Sequence, residues 1–490
     1  MAFVYILESV ITMTYSRVTE KDVAALTDIV TAERVIYPAT VHYDHDQFKQ
    51  VRSLPDMAVQ PQTNEEVAAI LRYANEHLIP VTVRGNATGL MGANVPIEHG
   101  IDIDMIKMNK VLDYDPDDLT LTVQNGFRIR DINEFLADKP FTYIPAPAMK
   151  WATIGGNAST NAGGMRAVKY GTTREHIRGI TAVMVDGTIQ HFGSKTVKNS
   201  SGYDLKDVII GSEGTLAVIT ELILRLIPRP TINLDVLVPF VDVKKAISVV
   251  PKILRAGLVP TGLEFFSRET VEYWESYAHQ PFMDHTGGGY LLITFDGHDG
   301  TVVQRDLDRA MQIARDNGAL APVLMGDEAH RVAVWETRNQ LLTAIQQTTT
   351  AIDEVDIVVP ISQIPKVLDK VAELQAKEKV SMPNFGHAGD GNLHIYMRKD
   401  DYSDEEFAAK VDRIIRQLYA TAKALGGEMS GEHGIGFARE PYFEAYYGKD
   451  KVRILQLVKD AFDPNHILNP HKIFPSVGAN KQENRPLTLD

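Results

Sequence analysis

The chain has 490 residues, 44% of them hydrophobic and 23% charged, a balance that supports two or three domains with a core needing no covalent staples. Lys and Arg number 50 against 64 Asp and Glu, a formal net charge of -14, which argues against nucleic acid as a partner because phosphate binding needs a cationic face. There are no cysteines, so disulfides, thiolate zinc sites, cysteine nucleophiles and cysteine-held iron–sulfur clusters are excluded.

Residues 1–13 are apolar but carry no basic n-region and are interrupted by Glu8. They read as part of a loose extension over residues 1–20, not as a signal peptide. Residues 65–77 have helical spacing (Val67, Ile70, Leu71, Ala74), and 80–84 read as a strand entering a Gly-rich loop. Residues 101–105 and 119–123 alternate as half-buried strands do, and 180–185, 189–192 and 215–226 form a second strand set. Pro228 and Pro230 mark a boundary, giving a first domain of 21–230. Beyond it strands (234–240, 262–266, 290–295, 356–359) alternate with helices (243–256, 302–316, 365–377, 404–425). The last helix has Phe407, Val411, Ile414, Leu418, Ala422 and Leu425 on one stripe, Ser403 as N-cap and Gly426-Gly427 as stop. A second domain is expected over 231–428, a completing C-terminal segment over 429–475 and a loose polar tail over 476–490. No apolar run reaches the roughly 18–20 residues of a membrane span. The expected location is the cytoplasm, with peripheral membrane attachment compatible.

Three glycine loops stand in the first domain: Arg84 to Leu90 after a strand, Ile154 to Gly164, and Gly211 to Thr215. Glycine lets consecutive backbone N–H groups approach an anion. Neither the G-x-G-x-x-G dinucleotide fingerprint nor the G-x-x-x-x-G-K-[ST] loop is present, which disfavours a nicotinamide Rossmann domain and an NTPase. The segment PVTVRGNATGL, with IGGNASTNAGGMRAVKYG and DLKDVIIGSEGTLAVITELILRL, resembles the FAD-binding domain of the vanillyl-alcohol oxidase/PCMH flavoprotein superfamily. The resemblance implies an α+β fold whose two subdomains clamp a non-covalent FAD. It implies that Arg84, Gly85, Asn86, Ala87, Thr88, Gly89 and Leu90 hold the pyrophosphate together with Gly155, Gly156, Asn157, Ser159, Thr160, Gly163 and Gly164. Gly214 and Ile219 would lie along the ribose and adenine. Met91 and Ala93-Asn94 depart from the small residues and paired glycines of relatives, and no histidine stands between Arg84 and Val95 to bond the flavin covalently.

In FGHAGDGNLHI, His387 and His394 flank a turn containing Gly389 and Gly391, and GEHGIG adds Glu432 and His433. Glycine at that density breaks a helix, so a loop leading into a strand over 393–397 is expected. His387, His394 and Glu432 make a two-nitrogen, one-oxygen set with open positions, suited to Zn²⁺ and also to Fe²⁺ or Mn²⁺. GHAGDGNLH, SGEHGIG and the tail NPHKIF resemble the C-terminal part of the FAD-linked D-2-hydroxy-acid dehydrogenases. That resemblance implies that the trio binds a divalent metal and that His433 is the base. It also implies that Arg338, in WETR, grips the substrate carboxylate, that Asn392 gives a second substrate contact, and that Asn469 contacts the flavin. His471 departs from the glycine usual there. Glu354 stands where some relatives place Lys, which favours a monocarboxylate such as D-lactate or glycolate. The electron acceptor implied is a quinone, a partner protein or O₂, and a homodimer is compatible. Two rivals stay open at this point: a metal-dependent hydrolase and a non-catalytic flavin subunit of a larger complex.

Overall fold

The computed structural model describes residues 15–47, 49, 51–145, 149–324, 328–474 and 487. The expected loose segments at 1–14, 476–486 and 488–490 lie outside these, as does residue 475 of the expected C-terminal segment. Residues 15–20, expected as part of the extension, are bound to the body: Tyr15 donates to the His466 carbonyl at 2.7 Å and Ser16 N–H to Leu78.

The first part of the chain builds two sheets. One has four strands in the order Val35–Ile36, Met57–Val59, Ile101–Asp104, Val81–Arg84, with the last three parallel. The other has five antiparallel strands in the order Val111–Asp115, Thr120–Gln124, Val218–Arg225, Ile177–Val183, Ile189–Gly193. The helix Asn64–Glu76 buries Val67, Ile70, Leu71 and Ala74 against the first sheet, as its spacing predicts.

The segment 154–160, expected as a loop, is a short helix, Ile154–Thr160. The Thr153 hydroxyl caps it by accepting from Gly156 N–H at 3.2 Å, and Asn161 ends it in a left-handed conformation. A side chain at Gly155 would lie 2.1 Å from the Asn125 amide, so close packing explains that glycine.

The second part is a seven-stranded antiparallel sheet in the order Val323–Leu324, Ile232–Phe240, Gly289–Gly297, Gly262–Ser267, Asn384–His387, Asn392–Arg398, Ile352–Val358. Alternation splits its residues cleanly. Leu263, Phe265, Leu393, Ile395, Val355 and Ile357 enter a large core. Among the elements over that core is the helix Asp404–Ala424, fixed by a Ser403/Glu406 capping box. The expected helix over 243–256 is broken into Val243–Ile247 and Val250–Arg255. Pro251 has no N–H to continue the first helix, but suits the first turn of the second. The opposite face carries Phe266, Phe385 and Tyr396 in an apolar cluster with the helix Glu328–Gln347. Glu264, His387, His394, Glu354 and Asp356 share this face, because register sets Glu264 against His387, Asp356 against His394 and Glu354 against Tyr396. The expected loop with two histidines is therefore a hairpin, with one imidazole on each strand.

Among the described residues, no helix is long and apolar enough to cross a membrane.

Candidate active site

One cavity of about 230 Å³ lies between the two parts. Its first wall comprises Gly85, Asn86, Ala87, Thr88, Gly89 and Leu90, then Gly155, Gly156, Asn157, Ser159, Thr160 and Gly164, with Gly214 and Ile219. The second wall carries Arg338, Phe385, His387, His394, Tyr396, Glu432 and His433. Sequence reasoning missed Asn125, Thr153 and Glu213 on the first wall, and Leu342 and Thr343 on the second. Leu342 follows Arg338 by one helical turn, a spacing that could have found it.

The expected trio converges. His387 Nε2, His394 Nε2 and Glu432 Oε1 stand 3.3 Å from one another in all three pairs. Ligands about 2.0–2.1 Å from a zinc ion at tetrahedral angles stand about 3.3–3.4 Å apart, so the set fits a divalent ion. Glu432 Oε2 is buried without a hydrogen-bond partner, a further acceptor turned inward. Burial works against charge on Glu432, but hydrogen bonds from His387 and His394 outweigh it and hold the carboxyl well below its ordinary range. At His387 burial is again outweighed, here by Glu264 and Glu432, and its proton affinity rises well above the usual value. Two carboxylates thus attract one positive charge to this point. A proton and a metal ion compete for the same lone pair.

The supporting carboxylates went unforeseen. Glu264, fully buried, accepts from His387 Nδ1 at 2.7 Å through Oε1, and from Arg338 Nε and Nη2 at 2.9 and 2.6 Å through Oε2. A carboxylate on Nδ1 turns the Nε2 lone pair toward an ion. Asp356 Oδ2 accepts from the backbone N–H groups of Gly431, Glu432 and His433 at 2.9–3.0 Å and from Ser430 Oγ at 2.8 Å. This gathers the glycine-rich loop so that Glu432 and His433 face the cavity. The signal for both was a carboxylate inside an apolar strand, where burial is tolerated only with partners. His433 Nδ1 lies 2.6 Å from Glu354, and its ring stacks on His394 with centroids 5.0 Å apart. Burial opposes its charge, yet Glu354 and Asp356 push the imidazole up to about 10.

Four expected residues are placed differently. The Arg84 side chain, 1% exposed, turns into the protein toward Asp102 and the carbonyls of Tyr43 and His45 and does not line the cavity. A buried guanidinium needs that many acceptors, which fixes its direction. Gly163 lies behind the wall, where a side chain would come within 3.0 Å of Glu432 Oε2. The Asn392 amide donates to Asp356 at 2.7 Å and to the Ile357 carbonyl, so it supports the carboxylate beneath the site instead of lining the cavity. Asn469 donates to the carbonyls of Ala93 and Glu213, stapling the tail to the flavin side. The departures named in the sequence are absorbed locally: the Met91 carbonyl accepts from Phe437 and Ala438, and His471 pairs with Glu98.

The architecture around this cavity is that of the PCMH-type flavoproteins. The structure of p-cresol methylhydroxylase with substrate bound matches with a TM-score of 0.75 at 17% identity, covering 93% of this chain and 97% of that one. Residues 55–193 match the family model for an FAD binding domain, and residues 231–473 that for the C-terminal domain of FAD linked oxidases. More particularly, the chain belongs to the FAD-linked D-2-hydroxy-acid dehydrogenase family. It is 38% identical to D-lactate dehydrogenase of Anaerostipes hadrus over 467 residues, 94% of this chain and 98% of that protein. It is 35% identical to glycolate oxidase subunit GlcD of Bacillus subtilis (strain 168) over 433 residues, 88% and 92% of the two chains. The protein is thus an FAD-linked enzyme oxidising a 2-hydroxy acid.

Proposed function

We propose that this enzyme oxidises a D-2-hydroxy monocarboxylate, D-lactate or glycolate, to the 2-oxo acid, assisted by a divalent ion on His387, His394 and Glu432. The observation supporting this is the 3.3 Å spacing of those three donor atoms in a cavity whose other wall is made of the flavin loops. FAD, which the loops at 85–90 and 155–164 would hold, would supply the two-electron acceptor for the Cα hydrogen. The ion, Zn²⁺ in the first instance with Mn²⁺ or Fe²⁺ as alternatives, supplies the Lewis acidity that makes the hydroxyl a better acid. Arg338 binds the substrate carboxylate through Nη1, the nitrogen outside its pairing with Glu264. His433 receives the hydroxyl proton at Nε2, a transfer worth roughly 10²–10⁴ in rate.

The charges favour a single carboxylate on the substrate. Among the described residues lining the cavity, Arg338 is the only Lys or Arg. A second substrate carboxylate would meet Glu432 there, with Glu264, Glu354 and Asp356 behind it. Lactate and glycolate differ by one methyl, which a pocket separates by only about 1–3 kcal/mol. The test is an anaerobic screen of 2-hydroxy acids scored by loss of flavin colour. D-Lactate or glycolate should bleach the protein, and D-malate and D-2-hydroxyglutarate should do so poorly. A protein that keeps its colour with every acid would refute the assignment and point instead to a flavin subunit without catalysis of its own.

A further inference from the structure

We propose that Glu354 is a positioning residue for the reaction: it accepts from His433 Nδ1 and so holds the ring with Nε2 presented to the substrate hydroxyl. This rests on the reading of His433 as base given above.

Glu354 lies in the strand Ile352–Val358, opposite Tyr396, and is 2% exposed. Its Oε1 stands 2.6 Å from His433 Nδ1. A carboxylate oxygen at this distance accepts the Nδ1 hydrogen, which leaves Nε2 as the nitrogen that exchanges a proton with the cavity. Glu354 lines none of the cavity, whereas His433 does. The carboxylate therefore acts through the imidazole and not on the substrate.

Two further contacts leave the ring little freedom. Asp356, two residues along the same strand face, accepts from the His433 backbone N–H at 2.9 Å. The His394 ring lies nearly parallel to that of His433, with 18° between planes. Backbone, ring plane and Nδ1 are thus each fixed by a different group. Rotating the ring to exchange its nitrogens would break the Glu354 bond inside the protein, where lost hydrogen bonds are costly.

The chemistry balances with these groups. The hydroxyl O–H bond breaks and its proton joins Nε2, while the Cα–H bond breaks and its hydrogen and electron pair go to FAD. The carbinol becomes a carbonyl. The Glu354 carboxylate keeps its bond to Nδ1 and stabilises the imidazolium, as the buried carboxylate of a hydrolase triad does.

The experiment is anaerobic stopped-flow reduction of the holoenzyme flavin over a range of D-lactate or glycolate concentrations, with Glu354→Gln, Glu354→Asp, His433→Gln and the double variant Glu354→Gln/His433→Gln. Glu354→Gln should lower the limiting rate about 100-fold or more, with half-saturation, flavin content and metal content close to wild type. Glu354→Asp should recover at least about tenfold of that loss, and the double variant should be no slower than His433→Gln alone. A Glu354→Gln rate within about threefold of wild type, or losses that add in the double variant, would overturn the proposal while leaving His433 as base. A wild-type rate in His433→Gln would instead remove the base assignment and the proposal with it. Should Glu354→Gln not fold, Glu354→Asp decides: a slower limiting rate at unchanged half-saturation supports the proposal, and a wild-type rate sinks it.

Discussion

Glu264 divides its two oxygens between His387 and Arg338, so one side chain supports both the proposed ion site and the proposed carboxylate clamp. Glu264→Gln keeps the volume but removes the charge that both neighbours face. Metal affinity should fall about 10–100-fold, and breaking a buried pair should cost on the order of 3–5 kcal/mol of stability. Metal analysis after dialysis against a graded chelator and a thermal melt would read the two effects. Unaltered metal retention would show that His387 needs no such support. At this scale the sequence disclosed donors but not their supports. His387, His394 and Glu432 stand out because glycines bracket them, whereas Glu264 is a single acid in an apolar strand whose partners lie 74 and 123 residues away. Arg84 misled for a related reason. A strand-end arginine before a glycine loop looks like an anion ligand until its own acceptors, Asp102 and two carbonyls, are seen.

The short helix Ile154–Thr160 and the helix Glu440–Tyr447 each carry a test. Gly155→Ala would drive a methyl into the Asn125 amide, which itself donates to the Ile219 carbonyl at 2.6 Å. The expected result is a loss of about 1–3 kcal/mol and weaker FAD retention on gel filtration; normal retention would mean that the wall yields. At Glu440, in the first turn of its helix, burial pushes the carboxyl from 4.5 up to about 7. Between those values the folded chain holds a proton that the unfolded chain has released, so this group's contribution falls as pH rises through the window. Glu440→Gln should therefore gain on wild type near pH 8 relative to pH 5, by up to about 2 kcal/mol, read from urea midpoints. Equal differences at both pH values would refute the shift. Helices with a long apolar stripe, such as Asp404–Ala424, were legible from spacing alone. The Ile154–Thr160 helix was not, because two glycines mask its periodicity and only its cap, Thr153, speaks for it.

In the whole molecule, the last described stretch returns to the first. Leu468 bridges Val81, and the Lys472 ammonium donates to the Val95 carbonyl at 2.9 Å. The sheet face that carries Glu264, His387 and His394 could not be read in advance, since it depends on register between strands far apart in the chain. The glycine loops and histidine clusters were visible as motifs; that they share one cavity is a fact of topology. Because the proposed ion ligands and the glycine loops lie on different walls, a strong chelator should abolish turnover while the yellow absorbance stays, and added Zn²⁺ or Mn²⁺ should restore activity. Loss of colour on chelation would mean that the two sites do not separate in this way.

Glu213 gives one carboxylate oxygen to each of the Ile435 and Gly436 N–H groups, at 2.8 Å, while its neighbour Gly214 lines the flavin wall. One residue beside the glycine-loop wall thus holds the backbone just beyond His433 through both of its carboxylate oxygens. Removing that carboxylate would loosen two amides at once, so those of Ile435 and Gly436 should exchange their hydrogens with solvent faster in a Glu213→Gln chain.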